Sequence, residues 1–258
     1  MGKLVFITGA SSGIGQALAW RFCQAGYSLA LVARRTEETL AWAQSMNIQS
    51  DRYKIYSADV SVVDSIVAAG QACLAQQGVP DVVIASAGIS VGVDTAERGD
   101  IDVMVKVLAT NTVGTAATFH PFIEPMTRRG SGALVGIGSV AGIRGLPGHG
   151  AYCASKAGVI SYCESLRGEL RSCGVKVVTI CPGYIDTPLT RKNRYSMPFL
   201  MQVDDFAAKT VQAIEAGVTY CVIPWQMGVV AKLIRLLPNW LFDRLLTGRP
   251  RKRRITDT

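Results

Sequence analysis

At 258 residues, with 49% hydrophobic and 18% charged side chains, the chain is long enough to bury a substantial core and too apolar to be disordered. Its net charge of +8 is unevenly spread, because five basic residues against one acid between 249 and 258 hold half of the excess. No basic stripe interleaved with aromatics crosses the remainder, which argues against nucleic acid as a partner.

Short apolar runs alternate with segments of helical period. In chain order, "KLVFIT" (3–8) precedes a helix near 13–25, "SLALVA" (28–33) one near 36–46, and "YKIYSA" (53–58) one near 61–77. "DVVIAS" (81–86) leads to a helix over 100–127, "ALVGIGS" (133–139) to 151–172, and "VKVVTI" (175–180) to 203–216, before a last strand "YCVIP" (220–224). Strands that are apolar on both faces and return after each helix predict βαβ units. The fold class is therefore α/β, one domain with a doubly wound parallel sheet of about seven strands.

The seven cysteines form no Cys-x-x-Cys pair and suit reduced thiols in a cytoplasmic protein. With only His120 and His149, no histidine-based metal site is expected. "KLVFIT" is too short for the apolar core of a signal peptide.

"TGASSGIG" (8–15) follows the first strand and opens a helix. Small residues there (Gly9, Ser11, Ser12, Gly13, Ile14 and Gly15) let the backbone approach a diphosphate, and the helix start offers free N–H groups to it. The tip of the second strand, where an acid would hold the ribose of NAD, is Ala33 followed by Arg34 and Arg35. A guanidinium there binds a 2′-phosphate, so the cofactor expected is NADP(H); two solvated arginines are the bland alternative. Further along, "GSVAGIRGLPGHGAYCASKAG" (138–158) sets Tyr152 thirteen residues after Ser139 and Lys156 four after Tyr152.

These motifs resemble the classical short-chain dehydrogenase/reductase family over nearly the whole chain. "ADV" (58–60) is similar to the segment in which Asp59 and Val60 meet the adenine. Asn111, Ser139, Tyr152 and Lys156 match the family's catalytic set, and "PGYIDT" (182–187) matches its nicotinamide-side motif, with Pro182, Gly183, Ile185 and Thr187. Ala87 and Gly88 close "ASAG" (85–88), where the family usually has Asn-Asn-Ala-Gly, so Ala85 and Ser86 lack the asparagines that brace sheet and cofactor. The resemblance implies a three-layer Rossmann fold, a carbonyl/alcohol reaction and a homodimer or homotetramer. A proton would come from Tyr152, with its pKa lowered by the charge of Lys156, which also holds the ribose. Ser139 would steady the carbonyl oxygen, and Asn111 would anchor a water that reprotonates Lys156. A non-catalytic NADP-sensing regulator is the alternative function, and an epimerase or dehydratase of the extended branch matches less well.

The catalytic body is expected over residues 1–224, with a substrate lid at 184–216. The segment 184–200 mixes Leu189, Met197, Phe199 and Leu200 with Arg191, Lys192 and Arg194, which favours a lipophilic ketone with an anionic end. Residues 225–258 form an amphipathic helical extension with a basic tail. Trp225, Val229, Val230, Leu233, Ile234, Leu237 and Trp240 give it an apolar character interrupted by Lys232, Arg235, Pro238 and Asp243, so it cannot span a bilayer. Two readings stay open. The helices close over the cleft or a subunit interface while the tail is disordered, or 225–254 supports a weak peripheral membrane association with Arg251–Arg254 on anionic lipid.

Overall fold

Strands apolar on both faces need cover on both faces, and the architecture follows from that demand. The computed structural model describes residues 2–191, 193, 195–248 and 251–254. The chain runs through β1 (Leu4–Thr8), α1 (Gly13–Gln24), β2 (Ser28–Ala33), α2 (Thr36–Ser45), β3 (Tyr53–Ser57), α3 (Val63–Gln77) and β4 (Val82–Ala85). It continues through α4 (Arg98–Leu108), α5 (Gly114–Arg129), β5 (Gly132–Ile137), α6 (Gly150–Leu170) and β6 (Val175–Pro182). A short pair, β7 (Ile185–Asp186) with β8 (Met201–Gln202), precedes α7 (Val203–Glu215), β9 (Tyr220–Ile223), α8 (Trp225–Leu236) and α9 (Asn239–Leu246).

Seven parallel strands lie in the order β3-β2-β1-β4-β5-β6-β9. Alternate side chains of each strand enter opposite layers. Val5, Ile7, Leu29 and Leu31 pack with Leu18 and Phe22 of α1 and Phe206 and Ile214 of α7. Phe6, Val32 and Val83 pack with Ile66 of α3, Phe119 and Phe122 of α5, and Val159 and Leu166 of α6. The predicted Rossmann sandwich is what forms. The strand order reverses between β1 and β4, so a crevice opens at their carboxyl ends.

Three local features differ from the sequence reading. The helix expected over 100–127 is two helices joined by a π-helical turn, Ala109–Val113. The hydroxyls of Thr110 and Thr115 donate to carbonyls four residues back, those of Lys106 and Asn111, at 2.8 and 2.7 Å, a habit that distorts helices. The β7–β8 pair has two-residue strands, too short to carry a period.

The third difference is a correction. Residues 251–254 are not a disordered tail, because they fold back on the body. Gly92 N–H donates to the Arg253 carbonyl (2.9 Å), and Arg254 Nε donates to Asp100 Oδ2 (2.6 Å). Asp100 is only 4% exposed, and a carboxylate so enclosed needs a charged partner. Arg249 and Asp257 of the expected tail lie outside the described residues. Among the described residues no helix is long and apolar enough to cross a membrane.

The core gives a direct test. Phe122 is fully buried, with its ring centre 4.7 Å from that of Phe6. Phe122→Ala is expected to destabilise the fold by about 3–5 kcal/mol, read as a shift of the urea unfolding midpoint.

Candidate active site

The site is built where α6 lies against the end of β5. Gly142 permits this approach, since a Cβ there would fall 2.7 Å from the carbonyl carbon of Lys156. Ser139 leaves β5 as the cap of a short 3-10 turn, its Oγ accepting from Ala141 N–H at 3.1 Å. Tyr152 and Lys156 stand one turn apart on α6, with Lys156 Nζ 5.9 Å from the centre of the Tyr152 ring. Lys156 is 5% exposed, and its ammonium donates to the Ile137 carbonyl at 2.7 Å.

Burial dominates the electrostatics of this pair. It pushes the Tyr152 phenol up to about 12, although a hydrogen bond with Ser139 pulls the other way. It pushes the Lys156 ammonium down to about 8. Burial thus moves both groups toward their neutral forms. Desolvation of the phenolate is the larger effect.

Asn111 sits in the π-helical turn. Its Oδ1 accepts from Ile89 N–H (2.8 Å), and its Nδ2 donates to the Ile89 carbonyl and to Ser155 Oγ, both at 2.9 Å. It thus holds the segment that leaves Gly88. Asn111 Oδ1 and Lys156 Nζ stand 3.2 and 3.6 Å from where a Cβ on that glycine would lie.

A groove of about 450 Å³ runs along the carboxyl ends of β1, β2 and β4. Gly9, Ser11, Ser12, Gly13, Ile14, Gly15, Arg34, Arg35, Asp59, Val60, Ala87, Gly88 and Thr187 all line it, as the sequence led one to expect. Its floor is shaped for close backbone approach. A Cβ on Gly9 (φ +71°) would fall 2.9 Å from Ala87 Cα, and one on Gly15 would fall 2.4 Å from the Gly9 carbonyl oxygen. No side chain caps the start of α1, so its first N–H groups are left for an anion. Arg34 lies 3.5 Å from Asp59 with its side chain 65% exposed, and Arg35 donates to Ser11 Oγ at 3.4 Å. Burial opposes ionisation of Asp59, but hydrogen bonds from the Ser61 hydroxyl and N–H, and then Arg34, hold its carboxyl below its ordinary value. Small backbone and helix start together fit a dinucleotide.

A second cavity, of about 730 Å³, meets the groove at Leu189 and exposes Ser139 and Tyr152 in its wall. Its other walls are largely apolar, with Ile143, Leu146, Met227, Val230, Ile234 and Phe242 among them. One face of α8 and α9 thus closes over the cleft. Arg144 fastens them: it donates to the carbonyls of Ile234 and Leu237 (2.8 Å for the latter) and to Asn239 Oδ1 (3.1 Å), and stacks 3.8 Å from the centre of the Phe242 ring. Besides Ser139 and Tyr152, the polar groups of the wall include His149, Tyr195, Asn193 and Lys252. His149 Nδ1 bonds the Pro147 carbonyl at 3.1 Å, which leaves Nε2 to accept from the Tyr195 hydroxyl at 3.3 Å. Burial lowers the His149 pKa, and nearby Lys252 lowers it further. Lys252 Nζ donates to Asn193 Oδ1 at 2.6 Å.

Several sequence readings change here. Gly183 lines the second cavity, and Pro182 and Ile185 line neither; Ile185 is 2% exposed and packs into the core. In the lid, Phe199 and Leu200 are exposed, and Arg191 is turned outward onto Asp186 at 2.7 Å. Lys192 and Arg194 lie outside the described residues. The cations that line the cavity among the described residues are Arg144 and Lys252, the second of which sequence alone placed in the tail. Thr8 was also missed: its Oγ1 accepts from Ser86 and Ala87 N–H at 3.1 and 3.2 Å, bracing the turn that lacks the usual asparagines. Cys153 is buried, and burial raises its thiol pKa, as suits helix packing.

Comparison with known proteins agrees with this picture. The profile of the short chain dehydrogenase family matches residues 3–197. An oxidoreductase of Myxococcus xanthus is 36% identical over 241 residues, covering 93% of this chain and 95% of that protein. Among solved structures, a short chain dehydrogenase/reductase from Burkholderia phymatum in complex with NAD superposes with a TM-score of 0.81 at 23% identity, covering 96% of each chain. An alcohol dehydrogenase from Thermococcus sibiricus complexed with 5-hydroxy-NADP gives 0.75 at 24% identity, covering 86% of this chain and 95% of that one. These two likenesses speak to the fold.

The depressed Lys156 pKa carries a stability consequence. Between pH 8 and 10.5 the unfolded chain holds a proton on this lysine that the folded chain has lost, so stability rises with pH through that window. Below pH 8 both states are protonated and the burial penalty is fully present. Relative to Lys156→Met, the native protein is expected to gain up to about 3 kcal/mol between pH 7 and pH 10, measured as the difference of two urea titrations.

Proposed function

The chain belongs to the short-chain dehydrogenase family, and from that membership we propose that it is an NADP(H)-dependent oxidoreductase interconverting a carbonyl group and a secondary alcohol on a lipophilic substrate. The observation that carries the proposal is the meeting of the two cavities at Leu189, with the hydroxyls of Ser139 and Tyr152 in the wall of the apolar one. Arg34 and Arg35 hold the 2′-phosphate, and the N–H groups opening α1 hold the diphosphate. The bound nicotinamide supplies or accepts the hydride. Ser139 donates a hydrogen bond to the carbonyl oxygen, and Tyr152 delivers its proton there as negative charge develops. Lys156 holds its positive charge beside the phenolate so formed and binds the ribose hydroxyls. Asn111 anchors the water that returns a proton to Lys156.

The apolar walls favour a hydrophobic ketone, and Lys252 suits an acidic group at its far end. Residues 184–216 serve as the lid. Seven free cysteines suit a reducing compartment such as the cytoplasm, and the family supports a homodimer or homotetramer. A regulator that only senses NADP would not need Ser139, Tyr152 and Lys156 assembled at a substrate-sized cavity, so that alternative is not favoured.

Two sets of variants test this reading. Tyr152→Phe is expected to remove turnover of a ketone panel, followed by nicotinamide absorbance, while leaving NADPH affinity nearly unchanged; activity above a few per cent would dismiss Tyr152 as the acid. Arg34→Ala and Arg35→Ala are each expected to raise the Kd for NADPH about 10- to 100-fold, the effect of a lost charge-assisted hydrogen bond. NADH binding should be unaffected by either. Equal affinity of the native protein for NADH and NADPH would overturn the cofactor assignment.

A further inference from the structure

Helices α8 and α9 are apolar on two opposite sides, although only one of those sides is covered. Met227, Val230, Ala231 and Ile234 face the cavity. On the opposite side of α8, Trp225, Val229, Leu233 and Leu236 fall within about 100° of one another on a helical wheel and are 70%, 48%, 60% and 80% exposed. On α9, Phe242 and Leu246 line the cavity, while Trp240 and Leu245 are 68% and 50% exposed. Single exposed apolar side chains are ordinary, but a run of them along two successive helices, two of them tryptophans, is a surface that water leaves costly.

The charges around this surface identify what would cover it. Lys232, Arg235 and Arg244 are exposed on the same two helices, against a single acid, Asp243. A second copy joined through a two-fold axis would bring two faces of the same net positive charge together. A bilayer with anionic headgroups satisfies both features, taking the apolar side chains at the acyl boundary, the tryptophans at headgroup depth and the cations on the phosphates. We infer that the outer face of α8 and α9 docks on an anionic lipid membrane. The docking cations are those of the two helices, since Arg254 and Lys252 are engaged with Asp100 and Asn193. Membrane docking goes beyond the proposed reaction and does not depend on it. If both hold, the helices that wall the substrate cavity also rest on the bilayer.

The test is co-sedimentation of the full chain with phosphatidylcholine vesicles, with and without phosphatidylglycerol, at low and high salt. Binding to the anionic vesicles is expected at low salt, weakening as salt rises, with a blue shift of tryptophan emission. Trp225→Ser/Leu236→Ser and Lys232→Glu/Arg235→Glu are each expected to lower the partition coefficient by about tenfold or more. All four positions are exposed, so native circular dichroism and an unchanged Tm are expected and serve as the folding control. Absence of binding at low salt would overturn the inference, as would binding that both double variants retain. Light scattering showing a dimer that Trp225→Ser/Leu236→Ser dissociates would also overturn it and assign the face to a second copy. Failure to reduce any ketone would count against the proposed reaction and leave the docking result standing.

Discussion

The hydrogen bond from the buried Lys156 ammonium to the Ile137 carbonyl is the constraint on which the site depends. A strand end leaves carbonyls that the sheet no longer uses, and here one of them becomes the partner of an otherwise unfavourable buried cation. The bond ties α6 to the end of β5, so Tyr152, one turn earlier, is set beside Ser139. Ser139, Tyr152 and Lys156 are thereby referred to the sheet and to the edge where the strand order reverses. The cost appears in the pKa values: burial moves both Tyr152 and Lys156 toward their neutral forms.

The apolar cavity beside the groove is built on a different principle. There the walls come from elements far apart in sequence, held by a few polar clips. Arg144 reaches 90 and 93 residues along the chain to carbonyls at the end of α8, where the helix dipole also favours a cation. His149 and Tyr195 join the turn before α6 to the lid, and Lys252 joins the folded-back segment to it. A groove of fixed backbone thus adjoins a cavity shaped by exchangeable side chains. One scaffold can in this way keep its cofactor chemistry while its substrate pocket varies.

The strands and the cofactor turn were legible because their physics is local: a strand buried on both faces is a continuous apolar run, and a backbone that approaches a diphosphate needs small residues. Ser139, Tyr152 and Lys156 were legible by spacing and by resemblance to a family. Thr8 was not, since a threonine at a strand end looks like any β-branched residue until its two amide donors are seen. Nor were the partners of Arg144, Lys252 and Arg254, because an ion pair or carbonyl clip between distant segments leaves no periodic trace. Sequence shows the charged neighbour of Tyr152 four residues away, but the depth at which both side chains are buried is a property of the packed molecule.

The folded-back segment 251–254 bears on how the protein is made. The seventh strand of the sheet ends at Ile223, and every residue lining the cofactor groove lies before Thr190. The substrate cavity, by contrast, takes walls from Met227 through Lys252. During synthesis every residue lining the cofactor groove is therefore made before the residues from Met227 onward that roof the cleft. A nascent chain at that stage has an open, apolar cleft with no roof, the surface that a chaperone would meet first.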